Sequence, residues 1–260
     1  MSVWNVNIGT IFPNVFPGTL GVSCLGKSHG KQWNLFVQDL RNYTKDKHKT
    51  IDDTPFGGGP GMVMKCDVLD AWLHESYNHA NNSESNAEKN DKYKEIRNRG
   101  KIIYMSPRGR AFNQSYASEL IKTDLHILCG RYEGVDSRLL KHWEIEEVSM
   151  GDYILCGGEV AAMTLVETCV RLIPGVLGNP QSIESDTFSN GLLEHDQYTR
   201  PDIWVPKDSK MEYNTPCVLK SGNHKEISSW RQSNSETLTK NRRSDLWVEY
   251  IRKKEKNVHS

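Results

Sequence analysis

Three glycine-dense loops hold the residue types best suited to cradling a ligand: Gly57-Gly58-Gly59-Pro60-Gly61-Met62, Gly130-Arg131-Tyr132-Glu133-Gly134 and Gly151-Asp152-Tyr153-Ile154-Leu155-Cys156-Gly157-Gly158-Glu159. Glycine loses more backbone freedom on folding than any other residue, so such a concentration needs a reason. Two reasons are open. Either backbone approaches a ligand closely, with N–H and C=O groups aimed at it, or these are ordinary tight turns. The last two loops follow apolar, strand-like runs at 125–129 and 147–150. In an open α/β sheet, ligands bind beyond the carboxyl ends of the strands. A cleft walled by loops is therefore the expectation.

Competing chemistries lack their signatures in these loops. Neither a Walker loop, with its Lys-Ser/Thr pair, nor a Gly-x-Ser-x-Gly nucleophile elbow is expected in this chain. The dinucleotide fingerprint is absent from the first strand–helix turn. There is no His-Glu-x-x-His and no deaminase zinc pattern. The six cysteines (Cys24, Cys66, Cys129, Cys156, Cys169, Cys217) form no Cys-x-x-Cys pair. Cys129, Cys156 and Cys169 lie in or beside apolar runs and are expected to behave as small buried hydrophobes. That usage implies a reducing cytoplasm and no structural zinc. The N-terminus reads as a strand, not a signal peptide. No apolar run reaches the roughly 20 residues that span a bilayer, so no membrane partner is expected.

Lys+Arg and Asp+Glu both total 33, for a formal net charge of zero. Bulk charge alone therefore does not hold this chain to nucleic acid. A local patch is still available: residues 240–256 hold seven Lys/Arg against three acids.

The elements that must position the loops follow from pattern. Trp4, Val6 and Ile8 alternate with polar residues and predict a first strand. Leu35-Phe36-Val37 is a second. Asp67 is the expected N-cap of a helix carrying Leu69, Trp72 and Leu73. Residues 78–92 have no large apolar side chain and predict a mobile surface insertion. A strand at 101–105 leads into the loop Ser106-Pro107-Arg108-Gly109. A helix near 114–121, a strand at 125–129, a helix at 135–142 and a strand at 145–150 follow. This repetition predicts a parallel α/β sheet. Ala161, Leu165, Val166, Cys169 and Leu172 recur at helical spacing over 160–172. Beyond a polar linker no clear strand is predicted, only helices near 227–230 and 246–251. The expected domains are 1–177, a linker at 178–190, and a small helical domain at 191–260.

Taken in order, the motifs resemble one family. They are Asp52-Asp53-Thr54-Pro55-Phe56 with the first glycine loop, Tyr104-Met105-Ser106-Pro107-Arg108-Gly109-Arg110, Cys129 through Asp136, and Gly151 through Leu155. After them stand Arg171-Leu172-Ile173-Pro174-Gly175-Val176-Leu177-Gly178, Tyr198-Thr199-Arg200-Pro201, and Ser221-Gly222-Asn223-His224 with Trp230-Arg231. The chain resembles bacterial tRNA (guanine-N1)-methyltransferases, the TrmD family, from the first strand to about Leu246.

The resemblance implies a SPOUT-type α/β domain with a deep trefoil knot, a helical C-terminal domain, and a homodimer. It implies S-adenosylmethionine bound in the knot, and tRNA methylated on N1 of the guanosine at position 37, just 3′ of the anticodon. Asp186 matches the linker base that takes the N1 proton, and Arg171 the cation that stabilises charge on guanine O6. Read alone, these would be a turn-capping Asp and a helix-end Arg.

The cofactor would lie against Tyr104, Met105, Ser106, Pro107, Gly130, Gly134, Met150, Gly151, Asp152, Ile154, Leu155, Gly157 and Gly158. Tyr132 and Tyr153 would pack on it, or else are core aromatics. Glu133 would orient the guanine edge or help hold Mg2+, which family members use, or is a solvent-facing acid. Gly57, Gly58, Gly59, Pro60, Gly61, Met62, Arg242 and Arg243 would touch tRNA. Departures are Cys156, where relatives often have Ser, the insertion at 78–92, and the segment Glu194-His195-Asp196-Gln197-Tyr198. The alternatives are another knotted RNA methyltransferase, such as a ribose 2′-oxygen enzyme, or a non-enzymatic tRNA-binding relative.

Overall fold

The alternation of Trp4, Val6 and Ile8 makes a strand whose apolar side chains are buried, and it becomes an interior strand of a sheet. The computed structural model describes residues 3–79, 100–178, 187–188 and 190–258. β1 (Trp4–Thr10) lies between β2 (Trp33–Asp39) and β6 (Leu125–Leu128), parallel to both. β5 (Lys101–Ala111) and β7 (Glu146–Ser149) complete a five-stranded parallel sheet in the order β2-β1-β6-β5-β7. A short antiparallel pair, β3 (Asp52–Asp53) and β4 (Val63–Met64), stands apart from it.

Both faces of the sheet are covered, which is why β6 is buried throughout and apolar at all but His126. Ile103, Met105, Leu125 and Ile127 pack in one core with residues of α1 (Ser23–Ser28), α3 (Gln114–Leu120) and α5 (Gly158–Leu172). Ile102, Tyr104 and Leu128 pack in the other with residues of α2 (Cys66–His79) and α4 (Ser137–His142). The period-two alternation along β5 thus serves two separate cores. Asn113 caps α3 by accepting from Tyr116 N at 2.8 Å, and Asp136 caps α4 by accepting from Arg138 N at 2.9 Å.

Several expectations shift. Asp67 is not the cap of α2: the helix begins at Cys66, and Asp67 sits in its first turn, where a carboxylate favours the positive end of the dipole. α4 begins at Ser137 because Val135 makes a parallel bridge with Met64 instead. Cys129 and Cys169 are buried as expected, but Cys156 is exposed, on a loop. The predicted insertion lies outside the described residues from residue 80 onward, and so does most of the predicted linker.

The chain divides into two compact units, Met1–Gly178 and Asn179–Ser260. The second holds α6 (His224–Arg242) and α7 (Ser244–Val258), together with a small antiparallel pair that the sequence did not suggest, β8 (Ile203–Trp204) and β9 (Tyr213–Asn214). Two residues per strand give too little alternation to read. α6 is far longer than predicted because its buried positions are Ser235 and Thr239, which carry no apolar signal. Thr239 earns its burial by hydrogen bonds: its hydroxyl donates to Ser235 O at 2.7 Å and accepts from Leu193 N at 2.9 Å.

One buried group sets a pH dependence. His126 lies within β6, near Ser76 of α2, with Nδ1 and the hydroxyl oxygen 3.3 Å apart. Burial pushes its pKa down from 6.5 to about 4. The unfolded chain therefore binds this proton first as pH falls from about 6.5, and stability is lost across that window down to about 4. The full effect is about 3 kcal/mol. His126→Asn should flatten the pH dependence of the unfolding free energy between pH 7 and 4 by that amount. Denaturant titrations with unchanged pH slopes would contradict the assignment.

Candidate active site

The carboxyl ends of β6 and β7 meet an excursion within β5, and each is shaped by a particular tether. β5 follows β7 in register as far as Met105 opposite Val148, then Arg110 faces Val148 again. Residues 106–109 are therefore looped out of an otherwise continuous strand, where the sequence suggested that the strand had ended. Glu147 holds this excursion. It accepts from Ser106 Oγ at 2.7 Å and pairs with the Arg108 guanidinium at 3.1 Å. Gly109 passes so close to the Glu147 backbone that a Cβ would collide with it.

The loop after β6 is locked to the start of α5. Arg131 pairs with Glu159 at 2.8 Å and donates to Cys156 O at 3.2 Å. Its guanidinium also lies 4.4 Å from the centre of the Phe12 ring. Glu159 is buried and accepts from Thr10 Oγ1 at 2.7 Å, so the end of β1 joins the same network. Gly158 N donates to Gly130 O at 3.0 Å. The Cys129 thiol next to this network is pushed well up in pKa, chiefly by burial and then by the Glu159 charge.

These ends enclose a cavity of about 330 Å³. Every residue expected to bind cofactor lines it except Asp152. Tyr132 and Tyr153 are 52% and 56% exposed, so neither is a core aromatic. Tyr132 has φ +59°, unusual for a bulky residue and a sign of constraint at a ligand site.

Glycine in these loops also answers to neighbours within the chain. A Cβ on Gly130 would strike the Tyr104 ring, one on Gly157 the Arg131 guanidinium, and one on Gly158 the Cys129 backbone. These three glycines let the walls close on each other. Gly157→Val should displace Arg131 from Glu159 and leave a buried carboxylate without its partner, a loss of roughly 3–5 kcal/mol. Gly130→Val should move Tyr104 and weaken cofactor binding. Thermal melting and calorimetry check both, and wild-type values for both variants would show that the contacts do not matter.

A second cavity of about 940 Å³ adjoins the first and shares Tyr104, Ser106, Pro107, Glu133 and Gly134 with it. Asp53, Phe56, Lys65, Asp67, Arg108 and Arg138 also line it, none of which the sequence assigned to a ligand site. Of the first glycine loop only Gly57 lines this cavity, whereas Gly58, Gly59, Pro60, Gly61 and Met62 do not. Gly57, Gly58, Gly59 and Gly61 have φ of +89°, +75°, +113° and +87°, so conformation demands glycine there. Met62 O accepts from Glu133 N at 3.0 Å, which ties this loop to the wall between the cavities. Asp136 is held below the usual carboxylate range, first by its hydrogen bond from the Arg138 side chain.

The remaining expected residues lie elsewhere. Arg171 sits in the last turn of α5 and lines neither cavity. At 1.5 Å per residue it stands about 20 Å along the helix from Gly158. Arg242 is exposed at the end of α6, while Arg243 is partly buried and already pairs with Asp245 at 2.6 Å. Asp186 lies outside the described residues. Among the described residues no group of three or more His, Cys, Asp or Glu could hold a metal ion, and no helix is long and apolar enough to cross a membrane.

Residues 21–30 require a correction to the motif reading. Gly21-Val22-Ser23-Cys24-Leu25-Gly26-Lys27-Ser28 fits the Walker spacing, and Gly26-Lys27-Ser28-His29-Gly30 fits the nucleophile elbow. Either motif needs a strand–turn–helix context. Here the Gly-Lys-Ser closes the six-residue α1, after a 3-10 turn at Gly18–Gly21. Ser28 is buried, with its hydroxyl donating to Leu25 O at 2.8 Å and accepting from Trp33 Nε1 at 3.1 Å. It is a packing serine, neither nucleophile nor phosphate ligand.

Comparison with known proteins points one way. The family model described as tRNA (Guanine-1)-methyltransferase TrmD matches residues 4–249. A tRNA (guanine-N(1)-)-methyltransferase of Roseobacter denitrificans is 47% identical over 248 residues, covering 95% of this chain and 94% of the relative. One from Ehrlichia ruminantium is 47% identical over 247 residues, covering 94% and 95%. One from Pelagibacter ubique is 45% identical over 250 residues, covering 95% and 99%.

Proposed function

Because the chain belongs to the tRNA (guanine-1)-methyltransferase TrmD family, we propose that it transfers a methyl group from S-adenosylmethionine to N1 of guanosine 37 of tRNA. The observation that carries this is the 330 Å³ cavity between the carboxyl ends of β6 and β7 and the excursion of β5, opening beside a much larger one. Its volume lies in the range of small-ligand sites. Its wall, rich in glycine and apolar residues and carrying the exposed Tyr132 and Tyr153 rings, fits a nucleoside with a sulfonium side chain. When bound, S-adenosylmethionine supplies a methyl group that is already electrophilic.

The chain's own residues then have two tasks. Guanine N1 must lose its proton, and Asp186 is the base that accepts it. Charge then builds on O6, and Arg171 stabilises it there. Glu133 lines both cavities, which supports its role in orienting the guanine edge. Any Mg2+ at Glu133 would need RNA oxygens to complete its shell, as that ion commonly does.

The position of Arg171, about 15 Å along α5 from Ala161 on the cavity wall, supports a homodimer in which the partner subunit's Arg171 completes the site. The deep trefoil knot, the cytoplasmic location and the division into a catalytic domain (1–177), a linker (178–190) and a tRNA-binding domain (191–260) belong to the same proposal. A ribose methyltransferase and a binding protein without activity are less well supported, since the matched relatives are named for guanine-N1 transfer.

The test is methyl transfer to an unmodified tRNA transcript, followed by nucleoside mass spectrometry. 1-Methylguanosine is the expected product. Ribose methylation, or no product with any tRNA, would overturn the reading. Because the chain is neutral overall, tRNA affinity must come from local basic surface. Arg242→Ala with Arg243→Ala should raise KM for tRNA and flatten its salt dependence while leaving cofactor affinity unchanged. Arg242 should contribute more, since Arg243 must first leave Asp245. Unchanged salt dependence would remove these residues from the tRNA surface.

A further inference from the structure

We propose that Phe56 is a stacking platform for a nucleobase next to the target guanosine. The inference deepens the tRNA methyltransferase reading and rests on it. Phe56 is 98% exposed, the most exposed large hydrophobic among the described residues, although burying such a side chain is worth about 1.5–3 kcal/mol. It is also not an accident of a floppy loop. Gly58 N donates to Pro55 O at 3.1 Å, closing a turn over Pro55-Phe56-Gly57-Gly58. Gly57 has φ +89°, as the third residue of a type II turn requires. Phe56 therefore stands at the corner of the turn, where its side chain is displayed. Gly57, Gly58 and Gly59 have nothing within 4 Å of where a side chain would begin, so the ring has room to settle on a partner.

The surroundings select the partner. Phe56 lines the larger cavity, together with three cations, Lys65, Arg108 and Arg138. Both guanidiniums are held by carboxylates, yet the Arg108 and Arg138 side chains remain 66% and 72% exposed. Four acids, Asp53, Asp67, Glu133 and Asp136, line the same cavity. A site so balanced is not a trap for bare phosphate. An aromatic face, carboxylate acceptors and guanidinium donors together suit a single-stranded nucleotide, with its base on the ring and its polar edge and phosphate on the charges.

The register also follows. The target base must reach the wall shared with the cofactor cavity. Phe56 does not line the cofactor cavity, so it takes a flanking base.

The test uses the full chain with Phe56→Ala, Phe56→Leu and Phe56→Trp. Stacking is worth about 1–3 kcal/mol per base, so Ala and Leu should each raise KM for tRNA by roughly fivefold or more, while Trp stays near wild type. Cofactor affinity by calorimetry should be unchanged in all three. A stem-loop RNA with 2-aminopurine on either side of the target guanosine provides a readout independent of turnover. Wild type and Trp should quench it at one of the two positions, and Ala and Leu should not.

A Leu variant equal to wild type would reduce Phe56 to a generic apolar contact, and an Ala variant equal to wild type would remove it altogether. Either overturns the proposal. So would dissociation of the dimer by Phe56→Ala in sedimentation, since the ring would then serve a second copy of the chain. If wild type methylates no tRNA, the functional reading fails, and the quenching experiment still decides whether Phe56 stacks on RNA.

Discussion

Asp186→Asn should lower kcat for tRNA methylation by on the order of 10²–10⁴-fold and leave cofactor affinity within a small factor. The amide keeps the size and shape of the carboxylate but cannot take up a proton at neutral pH. Guanine N1 is only weakly acidic, so without a base its lone pair is not released toward the methyl group. Asp186 belongs to a segment rich in Ser and Asn, and it is not expected to support the core. Loss of turnover should therefore come without loss of folding. The discriminating measurement is the pH profile. If Asp186 is the base, the residual activity of Asp186→Asn should rise with pH as N1 ionises in solution, whereas the wild-type rate should level off. A variant that loses cofactor binding, or that turns over at the wild-type rate, would assign Asp186 to structure.

The parts of this molecule legible in the sequence are those whose signal is local. β6 is apolar at all but His126 and buried on both faces, and the glycine that follows it marks a strand's carboxyl end. α5 repeats its apolar residues at helical spacing over four turns. What stayed hidden depends on contacts distant in sequence. The excursion at 106–109 reads as a strand end because nothing local says that Arg110 will pair with Val148 again. The Arg131–Glu159 pair spans two loops, and Glu159 alone looks like an acid placed for a helix dipole. The glycines at 130, 157 and 158 were correctly marked as unusual, but the neighbours that require them, Tyr104, Arg131 and Cys129, appear only when the walls are assembled. The reverse failure is residues 21–30, where two catalytic spacings occur by chance and only the helix-end setting and the burial of Ser28 dismiss them. α6 shows a further limit: a helix with buried Ser235 and Thr239 has no apolar periodicity to detect.

Arg171 provides the sharpest test of how the site is assembled. Arg171→Ala should lower kcat by on the order of 10²–10³-fold, the usual consequence of removing one stabiliser of a developing oxyanion. Ile154→Arg should be as inactive for a different reason. Ile154 is exposed on the wall of the cofactor cavity, so a long cation there repels a sulfonium without disturbing the core. Mixing the two inactive chains separates a site built within one chain from one built across two. If each site joins one chain's cavity to the partner subunit's Arg171, a mixed dimer contains one intact site. Random exchange makes half of the dimers mixed, so about a quarter of the wild-type activity per site should return. If Arg171 served the cavity of its own chain, no mixture would contain an intact site and no activity would return. The helix argues for the first outcome, because the rigid α5 separates Arg171 from Gly158 by about 20 Å. Sedimentation of Arg171→Ala must show an intact dimer for the recovery to be read this way. Arg171→Lys guards against a purely structural loss: it retains the charge but not the planar fork of donors, so it should recover only part of kcat while restoring the dimer fully.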